Sequence, residues 1–151
     1  MSNEISVFHL NNTPKDNNIV MIATGTGLAP YISFLRSHIK ENTNTKIAVI
    51  QGASYQWDLG YQSELQFIDS AFDNFYYFPT LLRTDASWTG LTGTIEKHLD
   101  DKIIENITGI EINPDKTHIF LCGNPKMVKS VAAYLSNFNY TKHSPKRPGS
   151  L

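Results

Sequence analysis

Residues 19–30 read IVMIATGTGLAP, an apolar run that passes directly into two glycines and then a proline. A run this short and continuous reads as a strand covered on both faces, as in a parallel sheet. The glycines turn the chain, and Pro30 falls in the first turn of a helix, where its missing N–H goes unused. Leu28, Ile32, Leu35 and Ile39 then continue as one helical stripe. A strand that gives way to a helix in this manner restricts the chain to folds in which the two alternate.

The alternation continues. Lys46 to Gly52 reads as a strand, and Tyr61, Leu65, Ile68 and Phe72 mark a helix face. Phe75 to Leu82 is a strand that Pro79 is expected to interrupt. Gly93 to Asn106 reads as one helix with Ile95, Leu99 and Ile103 on one side. Thr117 to Gly123 is a strand, and Met127, Val131 and Leu135 stripe the last helix. Four strands alternating with four helices predict an α/β fold, a doubly wound and mainly parallel sheet with helices on both faces. Ligands of such sheets bind beyond the carboxyl ends of the strands, where the strand order reverses.

The 151 residues suit one domain, and 40% hydrophobic with 18% charged residues suits a packed core. A net charge of −1 gives no bulk attraction to nucleic acid or to an anionic membrane. No apolar run is long enough to span a bilayer, and the N-terminus lacks a secretory pattern. Cys122 is the only cysteine, which excludes an intrachain disulfide and makes a reducing cytoplasm the default. His9, His38, His98, His118 and His143 are scattered without zinc-ligand spacing, so no metal is expected.

Two segments fall at strand ends. In ATGTGLAP, Ala23 to Pro30, the glycines let a diphosphate approach the backbone, and the start of the helix offers free N–H groups and a positive dipole end. The same segment reads equally well as a tight strand–helix turn without a ligand. The usual dinucleotide fingerprint fails here, because Pro30 replaces its third glycine and the second strand ends Gly52-Ala53-Ser54-Tyr55 without a carboxylate. In LCGNPKMV, Leu121 to Val128, Gly123 frees the backbone, Asn124 caps a helix and Pro125 begins it. Cys122 alone reads as a small buried hydrophobe, and no base is paired with it for nucleophilic catalysis.

Together these segments, with Gln51 to Tyr55, Asp58 to Tyr61, Leu91-Thr92-Gly93, Thr141-Lys142-His143 and Arg147-Pro148-Gly149, resemble the ferredoxin–NADP reductase family, in particular its bacterial flavodoxin/ferredoxin reductases. The resemblance runs from about Asn18 to the C-terminus. It implies that residues 18–151 form the NAD(P)-binding domain. Residues 1–17, with Phe8 and Leu10, would be a lead-in, the remnant of the end of a flavin domain. FAD would be supplied by that missing upstream domain, since its Arg-x-Tyr-Ser signature has no counterpart here. The terminal aromatic residue that shields the flavin in this family is also lacking after Leu151.

The resemblance further implies an oxidoreductase that uses NADP(H) or NAD(H). The dinucleotide would pass hydride to the flavin, and single electrons would go on to ferredoxin or flavodoxin. Thr24, Gly25, Thr26 and Gly27 would line the pyrophosphate. Cys122, Gly123 and Asn124 would border the nicotinamide, with Cys122 shaping the pocket and not attacking. Tyr55 and Tyr61 would meet the adenosine. Where the family places three arginines around the 2′-phosphate, this chain has Ser54, Arg83 and Thr94, with Lys97 as a possible point charge and no acidic residue opposing the phosphate. Each lost contact removes about 1.5–3 kcal/mol, so a weakened preference for NADP over NAD is expected.

Readings held beside this one are a reductase serving an oxygenase or a fused haem domain, and a non-catalytic nucleotide-binding module. The isolated chain is expected to be colourless and without dye-reducing activity. Trp57 and Trp88 fall in loops and are read as packing residues before adenosine covers. Asp100 and Asp101 read as solvated. The basic tail, Lys142, Lys146 and Arg147, is either a docking patch for an acidic carrier or a solvated strap.

Overall fold

The computed structural model describes residues 17–25, 27–38 and 45–140. The lead-in with Phe8 and Leu10, Thr26, Ile39 and the basic tail lie outside the described residues.

β1 (Asn18–Thr24) leads through the glycine turn into α1 (Ala29–His38). β2 (Ile47–Ala53) is followed by α2 (Gln62–Ala71) and β3 (Phe75–Leu81). Two residues form β4 (Leu91–Thr92), after which come α3 (Ile95–Asp100) and α4 (Ile103–Thr108). β5 (Thr117–Cys122) and α5 (Pro125–Leu135) complete the unit.

The strands form one sheet in the order β4-β3-β2-β1-β5, and every pairing is parallel. Buried strand residues explain why. Along β1, Val20 and Ile22 pack with Ile95, Leu99, Ile104, Val128 and Val131 of the later helices. The alternate residues Ile19, Met21 and Ala23 pack with Leu28, just before α1, and with Ile32, Leu35, Leu65 and Ile68 of the earlier helices. A strand rotates successive side chains to opposite faces, so α1 and α2 cover one face while α3, α4 and α5 cover the other. The expected doubly wound fold is therefore present. The chain steps outward from β1 to β4 and returns to place β5 on the far side of β1. That return puts the reversal of strand order between β1 and β5.

Three elements differ from the sequence reading. Pro79 does not interrupt β3, which pairs with β2 from Phe75↔Ile47 to Leu81↔Ala53. Ile47 N–H donates to Asn74 O and Leu82 N–H donates to Ala53 O, so the even-numbered residues of β3 bond β2 and the odd-numbered ones face the other edge. Pro79 is odd, and its missing N–H costs the β2 ladder nothing. Next to it in phase, Tyr77 N–H is satisfied by the Asp69 carboxylate at 3.3 Å.

The helix expected over Gly93 to Asn106 is two helices. Lys102 adopts the left-handed conformation at φ 58°, and its N–H bonds Leu99 O. The break resets the helical phase, so Ile104 enters the core with Ile95 and Leu99, and Ile103 stays partly buried. β4 is a further strand, too short to carry an alternation that a sequence would display.

Candidate dinucleotide-binding site

The two strand-end segments meet. Ala23 is the register partner of Cys122 across the β1–β5 ladder, so the chain leaves both strands at the same level. Immediately beyond, the backbone N–H of Asn124 donates to Thr24 Oγ1 at 2.8 Å. Gly123 has φ +120°, and a Cβ on it would stand 2.3 Å from Thr24 Oγ1. A Cβ on Gly27 would stand 3.0 Å from Gly123 Cα and 3.1 Å from Thr24 O. Neither loop has room for a side chain where the other passes, which is the physical need for glycine at these two positions.

The glycine amides are used within the turn itself. Gly25 N–H donates to Gly52 O at 2.8 Å, and Gly27 N–H donates to Thr24 O at 2.9 Å. Both are committed to holding the turn. At the start of α1, Pro30 has no N–H and the N–H groups of Tyr31 and Ile32 both donate to Leu28 O, so what these residues offer an anion is the positive end of the helix dipole. At α5, Asn124 caps as expected, its Oδ1 accepting from Lys126 N–H at 2.8 Å and Met127 N–H at 3.3 Å.

From this junction a cleft of about 590 Å³ extends over the carboxyl ends of β1, β2 and β3. Among the expected residues it brings together Thr24, Gly25, Ser54, Thr94 and Asn124. A second cavity of about 310 Å³ lies beyond Ser54 and is lined by Tyr55, Trp57, Arg83 and Trp88. Arg83 N–H donates to Ser54 O at 2.8 Å, which ties the end of β3 to the end of β2 and joins the two hollows. Trp57 stacks on Tyr55 with ring centroids 4.6 Å apart and planes 8° from parallel, and the Arg83 guanidinium lies 5.9 Å from the Tyr55 centroid.

Not every expected residue reaches the cleft. Tyr61, at φ 62°, is the residue before α2 and lines neither hollow. Cys122 is half-buried and packs with the cluster of Tyr31 and Phe120, on the α1 side of the sheet. Thr94 Oγ1 accepts from Lys97 N–H at 3.2 Å and so caps α3. Lys97 does not line the cleft, and its Nζ lies 3.3 Å from the Asp101 carboxylate. Trp57 is 78% exposed and is not a packing residue, whereas Trp88 is half-buried and donates from Nε1 to Leu91 O at 2.9 Å.

The sequence reading missed several residues. Gln51 is fully buried on β2, and its amide nitrogen donates to Gly25 O at 2.6 Å and to Gly60 O at 2.8 Å. Tyr77 O–H donates to its carbonyl oxygen. One side chain thus anchors both loops that flank the cleft. Its signal was present as a lone amide in the apolar run IAVIQG. Asp58, Glu96 and Lys126 also line the cleft, and none of the three was singled out as a site residue from the sequence. His98 is buried behind the wall, with Nε2 2.8 Å from Thr80 Oγ1. Burial, and then the neighbouring Lys97 charge, hold the imidazole below its usual value of 6.5.

Among the described residues no group of histidine, cysteine and carboxylate side chains is placed to hold a metal, and no helix is long and apolar enough to cross a membrane. The cleft volume is of the size that takes a cofactor, and its lining mixes apolar side chains such as Leu82, Ile95 and Met127 with a few polar groups.

Comparison with known proteins agrees with this geometry. Residues 21–133 match the family described as oxidoreductase NAD-binding domain. The flavodoxin/ferredoxin–NADP reductase of Buchnera aphidicola from Baizongia pistaciae is 31% identical over 145 residues, covering 95% of this chain and 58% of the relative. The enzyme of the same name from Escherichia coli is 28% identical over 129 residues, covering 85% of this chain and 52% of the relative. A crystal structure of a ferredoxin NADP+ reductase from Neisseria gonorrhoeae, with bound FAD and NADP, superposes with a TM-score of 0.79 at 28% identity, covering 96% of this chain and 58% of that one. The chain thus spans little more than half the length of these relatives. It belongs to the oxidoreductase NAD-binding domain family, as an NAD(P)-binding domain of the ferredoxin/flavodoxin–NADP reductase type.

Proposed function

We propose that this chain is the dinucleotide-holding half of a flavin-dependent ferredoxin/flavodoxin–NADP(+) reductase, and that it presents nicotinamide to an FAD-binding domain. The observation that carries this reading is the junction of Thr24 and Asn124 at the mouth of the cleft. In this reading the pyrophosphate lies over the turn from Thr24 to Gly27 and faces the positive end of the α1 dipole. The nicotinamide sits at the junction of the two loops, beside Gly123 and Asn124, with Cys122 behind them on the α1 side. The adenosine lies toward Ser54, Arg83 and Thr94, with adenine on the Tyr55–Trp57 pair, where a flat aromatic surface is already exposed.

Bound nicotinamide supplies a hydride, and the flavin accepts it. The residues of this chain contribute position. The paired glycine turns fix where the dinucleotide backbone runs, and Gln51 holds the two flanking loops in register. No proton transfer is needed at the hydride step, so an acid–base residue in contact with the ring is not required. The single electrons then pass to ferredoxin or flavodoxin. A cytoplasmic setting fits the lone Cys122 and the carriers.

Isothermal calorimetry of the chain with NADH, NADPH and free FAD tests the reading. One dinucleotide site is expected, with FAD bound far more weakly, and Arg83→Ala is expected to weaken dinucleotide binding about tenfold. Equal binding of FAD and dinucleotide, or no dinucleotide binding, would overturn it.

A further inference from the structure

The charges that face the cleft decide which dinucleotide it suits. The family resemblance puts phosphate-binding arginines at Ser54, Arg83 and Thr94, and two of these three are neutral. Arg83 lines the neighbouring cavity beside Tyr55 and does not line the main cleft. Lys97 is held by Asp101. The ionisable side chains that do line the cleft are Asp58, Glu96 and Lys126, so its lining is net negative.

Glu96 is the carboxylate best placed to act. It is half-buried in the first turn of α3, two residues after Thr94, and Ser130 on α5 donates its hydroxyl to it. That hydrogen bond spans two helices far apart in the chain and holds the carboxylate in the cleft wall. A carboxylate accepts hydrogen bonds from the hydroxyls of an unmodified ribose. It repels a phosphate monoester, which carries nearly two negative charges near neutral pH.

We infer that Glu96 is a specificity residue and that the cleft favours a nicotinamide dinucleotide whose adenosine ribose carries no phosphate. The inference rests on the reading that this cleft holds the dinucleotide. Discrimination against the phosphate comes from weakened attraction or from added repulsion, and here the neutral Ser54 and Thr94 supply the first and Glu96 the second.

Calorimetry of the chain with NADH and with NADPH, at low and at high salt, tests it. The wild-type chain is expected to bind NADH more tightly than NADPH, with the gap narrowing as salt screens the cleft. Glu96→Gln keeps the shape and removes the charge. It is expected to tighten NADPH about tenfold while leaving NADH unchanged or weaker. Ser54→Arg, on an exposed loop, serves as a second variant and is expected to tighten NADPH alone. Tighter NADPH binding by the wild-type chain, or an unchanged ratio in Glu96→Gln when Ser54→Arg does shift it, would overturn the role of Glu96 and leave the dinucleotide site standing. Binding of neither dinucleotide by any variant would overturn the dinucleotide site itself.

Discussion

Asn124 and Thr24 lie 100 residues apart in the chain, yet the backbone amide of one is hydrogen-bonded to the hydroxyl of the other at 2.8 Å. The bond closes the gap between β1 and β5 where the strand order reverses. Gly123 makes it possible. Gly123→Ala would bring a methyl group onto Thr24 Oγ1 and force an unfavourable φ. The variant is expected to lose about 1–3 kcal/mol of stability in urea denaturation, and to lose dinucleotide affinity with it. An alanine variant of unchanged stability would show that the two loops are not held this closely.

Gln51 gives a second prediction. Gln51→Leu fills the same space and leaves Gly25 O, Gly60 O and the Tyr77 hydroxyl without their partner. Orphaned buried groups cost about 1–3 kcal/mol each, so the variant should be clearly destabilised in a denaturant titration. Because Gly25 borders the cleft, dinucleotide affinity measured well below the unfolding transition should fall as well. Lost stability with intact affinity would mean that the turn keeps its shape without the amide.

These two residues also show what the sequence discloses. The glycines and Asn124 were legible because turns and caps are local and leave a local signature. The doubly wound sheet followed from short apolar runs such as IVMIAT and IFLC. Gln51 was visible only as an oddity, since its acceptors lie in two other segments. Glu96 gave no signal, because it enters the cleft through packing of α3 against α5. The break at Lys102 escaped because a left-handed lysine resembles any other lysine in a helical stretch. The exposure of Trp57 escaped because its partner is a neighbouring ring and not the core.

His98 makes stability depend on pH. Its folded pKa lies below the ordinary 6.5 through burial. Above that value the imidazole is neutral in both states and contributes no slope. As the pH falls below it, the unfolded chain takes up a proton that the folded chain resists, so stability declines until the lowered folded value is reached and then levels off. Thermal melts between about pH 7.5 and 5.5 should show a falling melting temperature for the wild type and a flatter profile for His98→Gln. Identical slopes for the two proteins would remove His98 as the cause.

The account's central claim is that the ends of β1 and β5 jointly hold a nicotinamide dinucleotide, and amide chemical-shift mapping tests it most directly. Titrating NADH or NADPH into isotope-labelled chain should shift the amides of Gly25, Gly27, Gly123, Asn124 and Ser54 together, with one common saturation curve. Shifts confined to the opposite end of the sheet, around Asn113 and Asn139, or no shifts at all, would contradict it.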